Sequence, residues 1–351
     1  LEELKREAGD HDGLAELLLE RLELIEDGEE RARVLREIGA LYEERLDDPE
    51  NALVAYAQAL SDDPDADKTA RAIERLCGND TARWGTVLES LNESVQELGD
   101  DPHAVGLYVR LGRWYGDQLQ RPDFALPCFG KAIELDATCD AAYEGSIALF
   151  ERAKSWPELV QVLESRAAAT TNPAAARDHR AKAADVVLRR LSDQDRAVTM
   201  FEAILADDPA HPTALDALAT LHRQREEWAQ LAELLQRRAR LVQGSAKIDA
   251  LLELAEIQDD RLSRTDDAIV QYEAVLAIDP RGLDALKGLE RIFARTSNYP
   301  RLLDVLRQQL ELIATPRQKV GVLEQIGAIQ EEELLVHHLA VLQHQTRQQL
   351  E

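Results

Sequence analysis

The sequence predicts an all-α fold that is built from a repeated set of helices. Apolar residues recur every three to four positions through most of the chain, which is typical of amphipathic helices. Good helix formers such as Ala, Leu, Glu, Arg and Gln dominate the composition, whereas aromatic residues make up only 5% of it. Three sets of residues also recur at a spacing of about 72 positions, and a fixed period of that kind indicates a repeat protein.

Three ladders of residues define the repeat. Consecutive members are 73, 72 and 71 positions apart in the first two ladders and 72, 72 and 71 positions apart in the third. The ladders are the closing leucines Leu46, Leu119, Leu191 and Leu262 (with Leu334 next), the aromatic residues Tyr56, Phe129, Phe201 and Tyr272, and the set Trp84, Trp156, Trp228 and Tyr299. We therefore expect a single array over 1–351, with units of about 31–103, 104–174, 175–246 and 247–317 and partial units at 1–30 and 318–351.

Each unit contains four helices joined by short turns. In the third unit the apolar pattern predicts helices at 177–191, 194–206, 211–224 and 227–242. Ser192 and Asp193 are cap-type residues before the second of these helices. Asp208 and Pro209 follow it, and a proline cannot continue a helix. Turns this short require neighbouring helices to pack antiparallel.

These features resemble the tetratricopeptide (TPR) repeat, in a bacterial type with paired units. That family has two helices in about 34 residues, small residues where the helices pack closely, and a closing proline. The resemblance implies a right-handed α-solenoid, a superhelix of TPR-like hairpins. The matching residues are Gly39, Gly112, Ala184, Ala255 and Gly327 in the first helix, Ala52, Ala125, Ala197 and Ala268 in the second, and the prolines Pro64, Pro209 and Pro280.

Two parts of the sequence depart from this pattern. Over 211–242, leucines such as Leu215 and Leu218 stand where the family has alanine, so we expect divergent hairpins to alternate with standard ones. In 123–135, Pro127 and Gly130 interrupt the expected helix, with Pro127 placed in or near its first turn. The chain also starts and stops out of phase with the repeat, which predicts a fragment of a longer protein.

The chain is strongly acidic, with a formal net charge of −26. The first 103 residues carry 29 acidic and 11 basic side chains, a net charge of −18. Such a surface disfavours nucleic acid and anionic lipid and could steer a basic protein segment, although keeping a long helical array soluble would also explain it. No apolar run approaches the 18 residues that a membrane-spanning helix needs.

The cysteines and histidines form no recognisable metal or disulfide pattern. Cys77, Cys128 and Cys139 lack CxxC or zinc-ligand spacing and are interpreted as core thiols of a reducing compartment. This favours the cytoplasm, while a start in the middle of a protein leaves the periplasm open. We interpret the histidines His337, His338 and His344 as a solvated or interface helix, and the Asp-rich stretch 61–67 as caps and turns rather than a calcium site.

The sequence contains no nucleotide-binding loop, no HExxH motif and no GxSxG motif. We therefore expect no catalysis, no cofactor and no metal. The recurring tryptophans are interpreted as packing residues rather than as a ligand cage.

The TPR resemblance implies that partner segments lie in a concave groove lined by the first helix of each hairpin. The Lys and Asn clamp that some members use for a C-terminal carboxylate is not evident, and Asp259 is a further candidate for the exposed face. The candidate groove residues are Arg36, Arg110, Arg113, Asp117, Lys182, Asp185, Arg189, Glu253 and Glu256.

The predicted function is that of a protein–protein interaction scaffold. One alternative is a structural subunit that packs into a large assembly or filament, for which the apolar stretch 334–342 would serve as a contact. Another is the regulatory arm of a larger enzyme. RNA binding by a helical repeat is disfavoured by the negative charge.

Overall fold

A computed structural model describes residues 1–331, and these residues are helical throughout, without a β-strand. The chain divides into two compact units, Leu1–Asp193 and Gln194–Glu351. Both units consist of consecutive helical hairpins, which confirms the predicted all-α solenoid class. Leu334, the histidines at 337, 338 and 344 and the apolar stretch 334–342 lie outside the described residues.

The first unit contains eleven helices, separated by turns of a few residues. They are α1 (Glu2–Ala8), α2 (His11–Leu22), α3 (Gly28–Glu44), α4 (Pro49–Asp62), α5 (Asp67–Cys77), α6 (Thr81–Leu98), α7 (Ala104–Arg113), α8 (Pro122–Leu135), α9 (Asp140–Ala153), α10 (Trp156–Ala169) and α11 (Pro173–Arg189).

The second unit continues the same pattern. Its helices are α12 (Gln194–Asp207), α13 (Pro212–Gln224), α14 (Trp228–Leu241), α15 (Gly244–Asp260), α16 (Thr265–Ile278), α17 (Leu283–Arg295) and α18 (Tyr299–Leu312). Residues 316–331 are also helical. The four helices predicted for the third unit are confirmed by α11 to α14, although α11 begins earlier, at Pro173, where the side chain of Asn172 caps it.

One ring of the aromatic ladder fills the space between the close-packed helices of α3–α4, and another fills the same space in α7–α8. A Cβ atom added to Gly39 of α3 would lie 2.5 Å from the ring of Tyr56, and one added to Gly112 of α7 would lie 2.6 Å from the ring of Phe129. The same rings also meet the helix that follows, because a Cβ on Gly145 of α9 would overlap the ring of Phe129. Phe129 is therefore packed against small residues on both sides.

The turns between helices repeat as regularly as the core. Their backbone reaches the left-handed region at non-glycine residues, with φ between 52° and 57°. The amide of the residue that follows each left-handed residue donates back to the preceding helix, as when Asn298, which follows Ser297, donates to the carbonyl of Phe293 at 2.9 Å. The left-handed residues are Asp47, Gln120, Ser192 and Ser263 in one turn type and Lys154, Glu226 and Ser297 in the other. Ser192 is thus a turn residue, and its predicted role as a helix cap is wrong.

The third ladder consists of packing residues, as predicted. Trp84 is buried, and its ring meets the ring of Trp114 edge-on at 5.3 Å. Trp156 and Trp228 are half-buried beneath guanidinium groups of the next helix, with Arg190 at 5.0 Å and Arg261 at 4.8 Å from the ring centres. Such cation–π contacts fix one hairpin against the next.

The hairpin of α7 and α8 is the irregular one. Helix α7 continues as a π-helical turn, Trp114–Gln118, and α8 contains Pro127 in its interior. Because α8 begins at Pro122, Pro127 lies in the helix interior, and the prediction that it lies in or near the first turn, where a missing N–H costs little, is wrong. Its missing N–H therefore removes a hydrogen bond that a regular helix would make.

Two glycines of this hairpin give opposite predictions for stability. Gly112→Ala places a methyl group against the Phe129 ring and should lower the free energy of unfolding by about 1–3 kcal/mol. Gly130→Ala meets no atom within 4 Å and should raise it by about 0.5–1 kcal/mol through helix propensity. Urea unfolding monitored by circular dichroism measures both. A shift of the same sign in the two variants would contradict the packing described here.

Candidate partner-binding groove

A groove of about 470 Å³ runs along α7 in the first unit. Its floor is mainly apolar and includes Val105, Gly106 and Val109 of α7. One wall is the turn between α4 and α5, and the other is the start of α9, with Cys139 and Ala141. A groove with an apolar floor and polar walls suits a peptide segment better than a small polar molecule.

Gly106 allows the wall and floor to approach each other. A Cβ atom added to Gly106 would lie 2.7 Å from the side chain of Pro64, which is buried in the α4–α5 turn. The closing proline of the α3–α4 hairpin therefore packs directly on α7, the first helix of the next 72-residue unit. The sequence indicated Pro64 as a terminator, but Gly106 was missed, although a glycine in the first turn of a predicted helix was an available signal.

Arg110 is largely a structural residue of this groove. Its guanidinium donates to the carbonyl oxygen of Pro64 at 3.3 Å and to Asp67 at 3.2 Å. Only 12% of its side chain is exposed, whereas Asp67 is 69% exposed. Arg110 thus joins α7 to the turn between α4 and α5.

Arg113 lies one turn further along α7 and is exposed. It lines the same groove and has no ion pair or hydrogen-bond partner within residues 1–331. Asp65 on the opposite wall is likewise exposed and without an ion pair in that range. These two side chains carry the charges that remain available to a partner in the groove.

A second groove, of about 650 Å³, lies between α1, α2 and α3. Two of its residues on α3, Glu37 and Ala40, occupy the same repeat positions as Arg110 and Arg113 on α7. Glu37 forms an ion pair with Arg6 of α1. The same face of the first helix therefore borders a groove in two successive 72-residue units, on α3 and on α7.

The other predicted residues of the first unit do not share this groove. Arg36 donates to Asp63 at 2.8 Å, and Asp117 accepts from Arg152 at 3.1 Å. On α11, Lys182 is exposed, and Asp185 accepts from Arg189 at 2.6 Å. The structure thus brings together only Arg110 and Arg113 among the predicted residues of this unit.

In the second unit, the predicted residues lie on α15. Glu253 forms an ion pair with Arg223, and Glu256 is exposed. Asp259 is not an exposed groove residue as predicted, because its side chain is fully buried. It accepts from Thr265 at 3.1 Å and pairs with Arg295, so it joins α15 to the next turn and to α17.

The Asp-rich turn also has a structural explanation. Asp62 pairs with Arg31 at 3.2 Å, and Asp63 pairs with Arg36. These ion pairs tie the end of α4 to α3, as expected for turn residues.

Within residues 1–331, no helix combines the length and the apolar character that crossing a membrane would require.

Repeated antiparallel hairpins with aromatic rings packed on small residues define a helical-repeat protein. Residues 214–247 and 285–320 match the family model described as tetratricopeptide repeat. These two segments therefore match tetratricopeptide repeats. The matched segments cover α13 with α14 and α17 with α18, which are the hairpins that the sequence analysis interpreted as divergent. That interpretation is wrong.

The interpretation assumed that the leucines of these hairpins occupy the close-packing position, but a different residue occupies it. In α17 that position is Gly288, where an added Cβ would overlap the ring of Tyr272. The equivalent residues in the other copies are Ala72, Gly145 and Ala217, all small. Both hairpin types therefore contribute a small residue to the same aromatic ring.

A search of curated protein sequences finds no match. Solved structures with similarity include yeast Tom70, with 14% identity, a TM-score of 0.31 and coverage of 86% of this chain and 60% of that chain. YrrB, described as a TPR protein with an unusual peptide-binding site, has 15% identity and a TM-score of 0.32 over 57% of this chain and 97% of its own. A tetratricopeptide repeat protein from Parabacteroides merdae has 12% identity and a TM-score of 0.31 over 73% and 98%. This chain thus spans less than two thirds of the Tom70 chain.

The two arginines of the α7 groove should respond differently to truncation. Arg110→Ala leaves the carbonyl of Pro64 and the carboxylate of Asp67 without their donor and should lower the free energy of unfolding by about 1.5–3 kcal/mol. Arg113→Ala removes an exposed side chain and should change it by less than about 0.5 kcal/mol. Thermal and urea unfolding of the two variants measure this difference, and equal losses would show that Arg113 is also structural.

Proposed function

We propose that this chain is a protein-interaction scaffold and that a partner segment lies along the first-helix face, in the groove on α7. The observation that supports this is the recurrence of a groove on the same face of α3 and α7, at the repeat positions of Glu37 with Arg110 and Ala40 with Arg113. A surface that repeats along the array can follow an extended chain for several residues.

The charge of the chain supports a partner segment that is basic overall. The first 103 residues have a net charge of −18, so a cationic segment would be attracted from a distance and a nucleic acid or anionic membrane repelled. At close range the groove offers Asp65 on one wall, while its floor of Val105 and Val109 accepts apolar side chains. The proposed partner therefore combines positive charge with short apolar side chains.

A groove-filling substitution tests this function. Ala141 is half-buried in the groove wall, so Ala141→Trp should occupy the space of the partner segment. Ala203→Trp is the matched control, because Ala203 is exposed on α12 and lines neither groove. Proteins are captured on each immobilised variant and on the unchanged chain, then quantified by mass spectrometry.

We expect genuine groove partners to be depleted by about tenfold or more on the Ala141→Trp chain and to be recovered fully on the control. Their affinity should also fall as the salt concentration rises, since screening weakens the attraction of a basic segment. If every captured protein binds all three chains equally, the α7 groove is not the binding surface.

A further inference from the structure

The α7–α8 hairpin differs from the equivalent hairpins of the other units at positions that face solvent. Phe124 replaces Asn51, Arg196 and Asp267 of the other copies, yet its side chain is 46% exposed. The buried positions of the same hairpin keep the repeat pattern, including Ala125 and Phe129. The fold therefore does not require the aromatic residue at this position, and three of the four copies have a polar one there.

Phe124 belongs to an ordered surface cluster. Its ring stacks on Tyr115 with centres 5.3 Å apart and planes at 26°, and the guanidinium of Arg121 lies 4.4 Å from its centre. Arg121 is held in turn by Asp123, through hydrogen bonds of 3.0 and 2.8 Å. Tyr115 accepts a hydrogen bond from Asn92 at 2.9 Å. We call Tyr115, Arg121, Asp123, Phe124 and Pro127 the α8 patch.

The α8 patch has the composition of an interface core. Stacked aromatic residues and arginine are the side chains that contribute most to protein association, and here their orientation is already fixed. Pro127 is exposed one helical turn beyond Phe124 and extends the apolar surface along α8. An interior proline destabilises a helix, so its presence here is not explained by the stability of the hairpin.

The distribution of net charge along the chain indicates which partner the α8 patch binds. Residues 104–193 contain 12 acidic and 12 basic side chains and are neutral, whereas 1–103 have a net charge of −18 and 194–351 a net charge of −8. Two copies of this chain repel each other through the rest of their surface, and the α8 patch lies in the one stretch where that repulsion is absent. A highly basic partner would instead be drawn to the first 103 residues.

We infer that the α8 patch binds the same patch of a second copy of this chain. Across a twofold axis, identical surfaces meet, so Phe124 of each copy packs on the aromatic cluster of the other. The Arg121–Asp123 pair suits this arrangement, because each patch presents one positive and one negative group to its image and no net charge is buried. The dimer would leave the α7 groove residues Val105 and Ala141 to a different partner.

Sedimentation velocity on the full chain over a dilution series tests the inference. A concentration-dependent dimer is expected, and Phe124→Asn should raise its dissociation constant by about tenfold or more. Asn stands at the equivalent position of α4, so this variant should keep its helical circular dichroism. Val54→Asn is the matched control, because Val54 is 42% exposed on α4, outside the patch, and should leave the dimer unchanged.

The second measurement locates the contact. Hydroxyl-radical oxidation of Phe124 and Tyr115 should fall as the protein concentration rises, while oxidation of the exposed Val270 should not. A monomer at every concentration would overturn the inference, as would a dimer that Phe124→Asn leaves intact. Assemblies that keep growing beyond a dimer would overturn the twofold contact. Ala141→Trp should not affect dimerisation, which separates this result from the test of partner binding.

Discussion

One aromatic ring packed between two small residues sets the spacing of the helices around it. In the copy centred on Phe129, Gly112 comes from the helix before the ring and Gly145 from the helix after it. The ring fixes the distance of three successive helices at once, and a side chain at either glycine would force them apart. That distance also sets where the closing proline, the turn residues and the groove floor lie relative to the helices. The copies therefore share the same order of helices and turns.

The repeat itself could be predicted from the sequence because a periodic core leaves periodic residues. The positions of α11 to α14, the aromatic ladder and the role of the tryptophans were all recoverable in this way. The candidate site was harder, because helical spacing shows that a charged residue faces outward but not what lies opposite. Asp259 and Arg110 are polar residues at outward-facing spacing, yet the neighbouring turns cover both of them. The error over α13 and α14 had a related cause, since the small residue that packs on the ring is hidden among more conspicuous leucines.

The identity of the ring residue correlates with the residues at two neighbouring repeat positions. Where the ring residue is tyrosine, those positions hold an acidic and a basic side chain. Tyr56 donates to Glu43 at 3.0 Å, and Glu43 pairs with Arg75. The same three repeat positions hold Tyr272, Asp259 and Arg291, and Arg291 lies 3.8 Å from Asp259. Burial, more than these charges, raises the pKa of Tyr272 to about 12. Where the ring residue is phenylalanine, the two partner positions hold no charge: Gly116 and Ala148 in one copy, Leu188 and Thr220 in another.

The helices pack mainly on helices that are close to them in sequence, and this affects how the protein unfolds. Helices that share a substantial contact, such as α3 with α4 or α4 with α6, are one or two places apart along the chain. Within residues 1–331, no substantial contact joins helices that are further apart along the chain, so a hairpin inside either unit depends mainly on its neighbours in that unit. Unfolding should accordingly proceed in stages, with local openings that spread from a weakened hairpin. The amides around the proline-interrupted α8 would then exchange with solvent at a rate set by their own neighbourhood rather than by the stability of the whole chain.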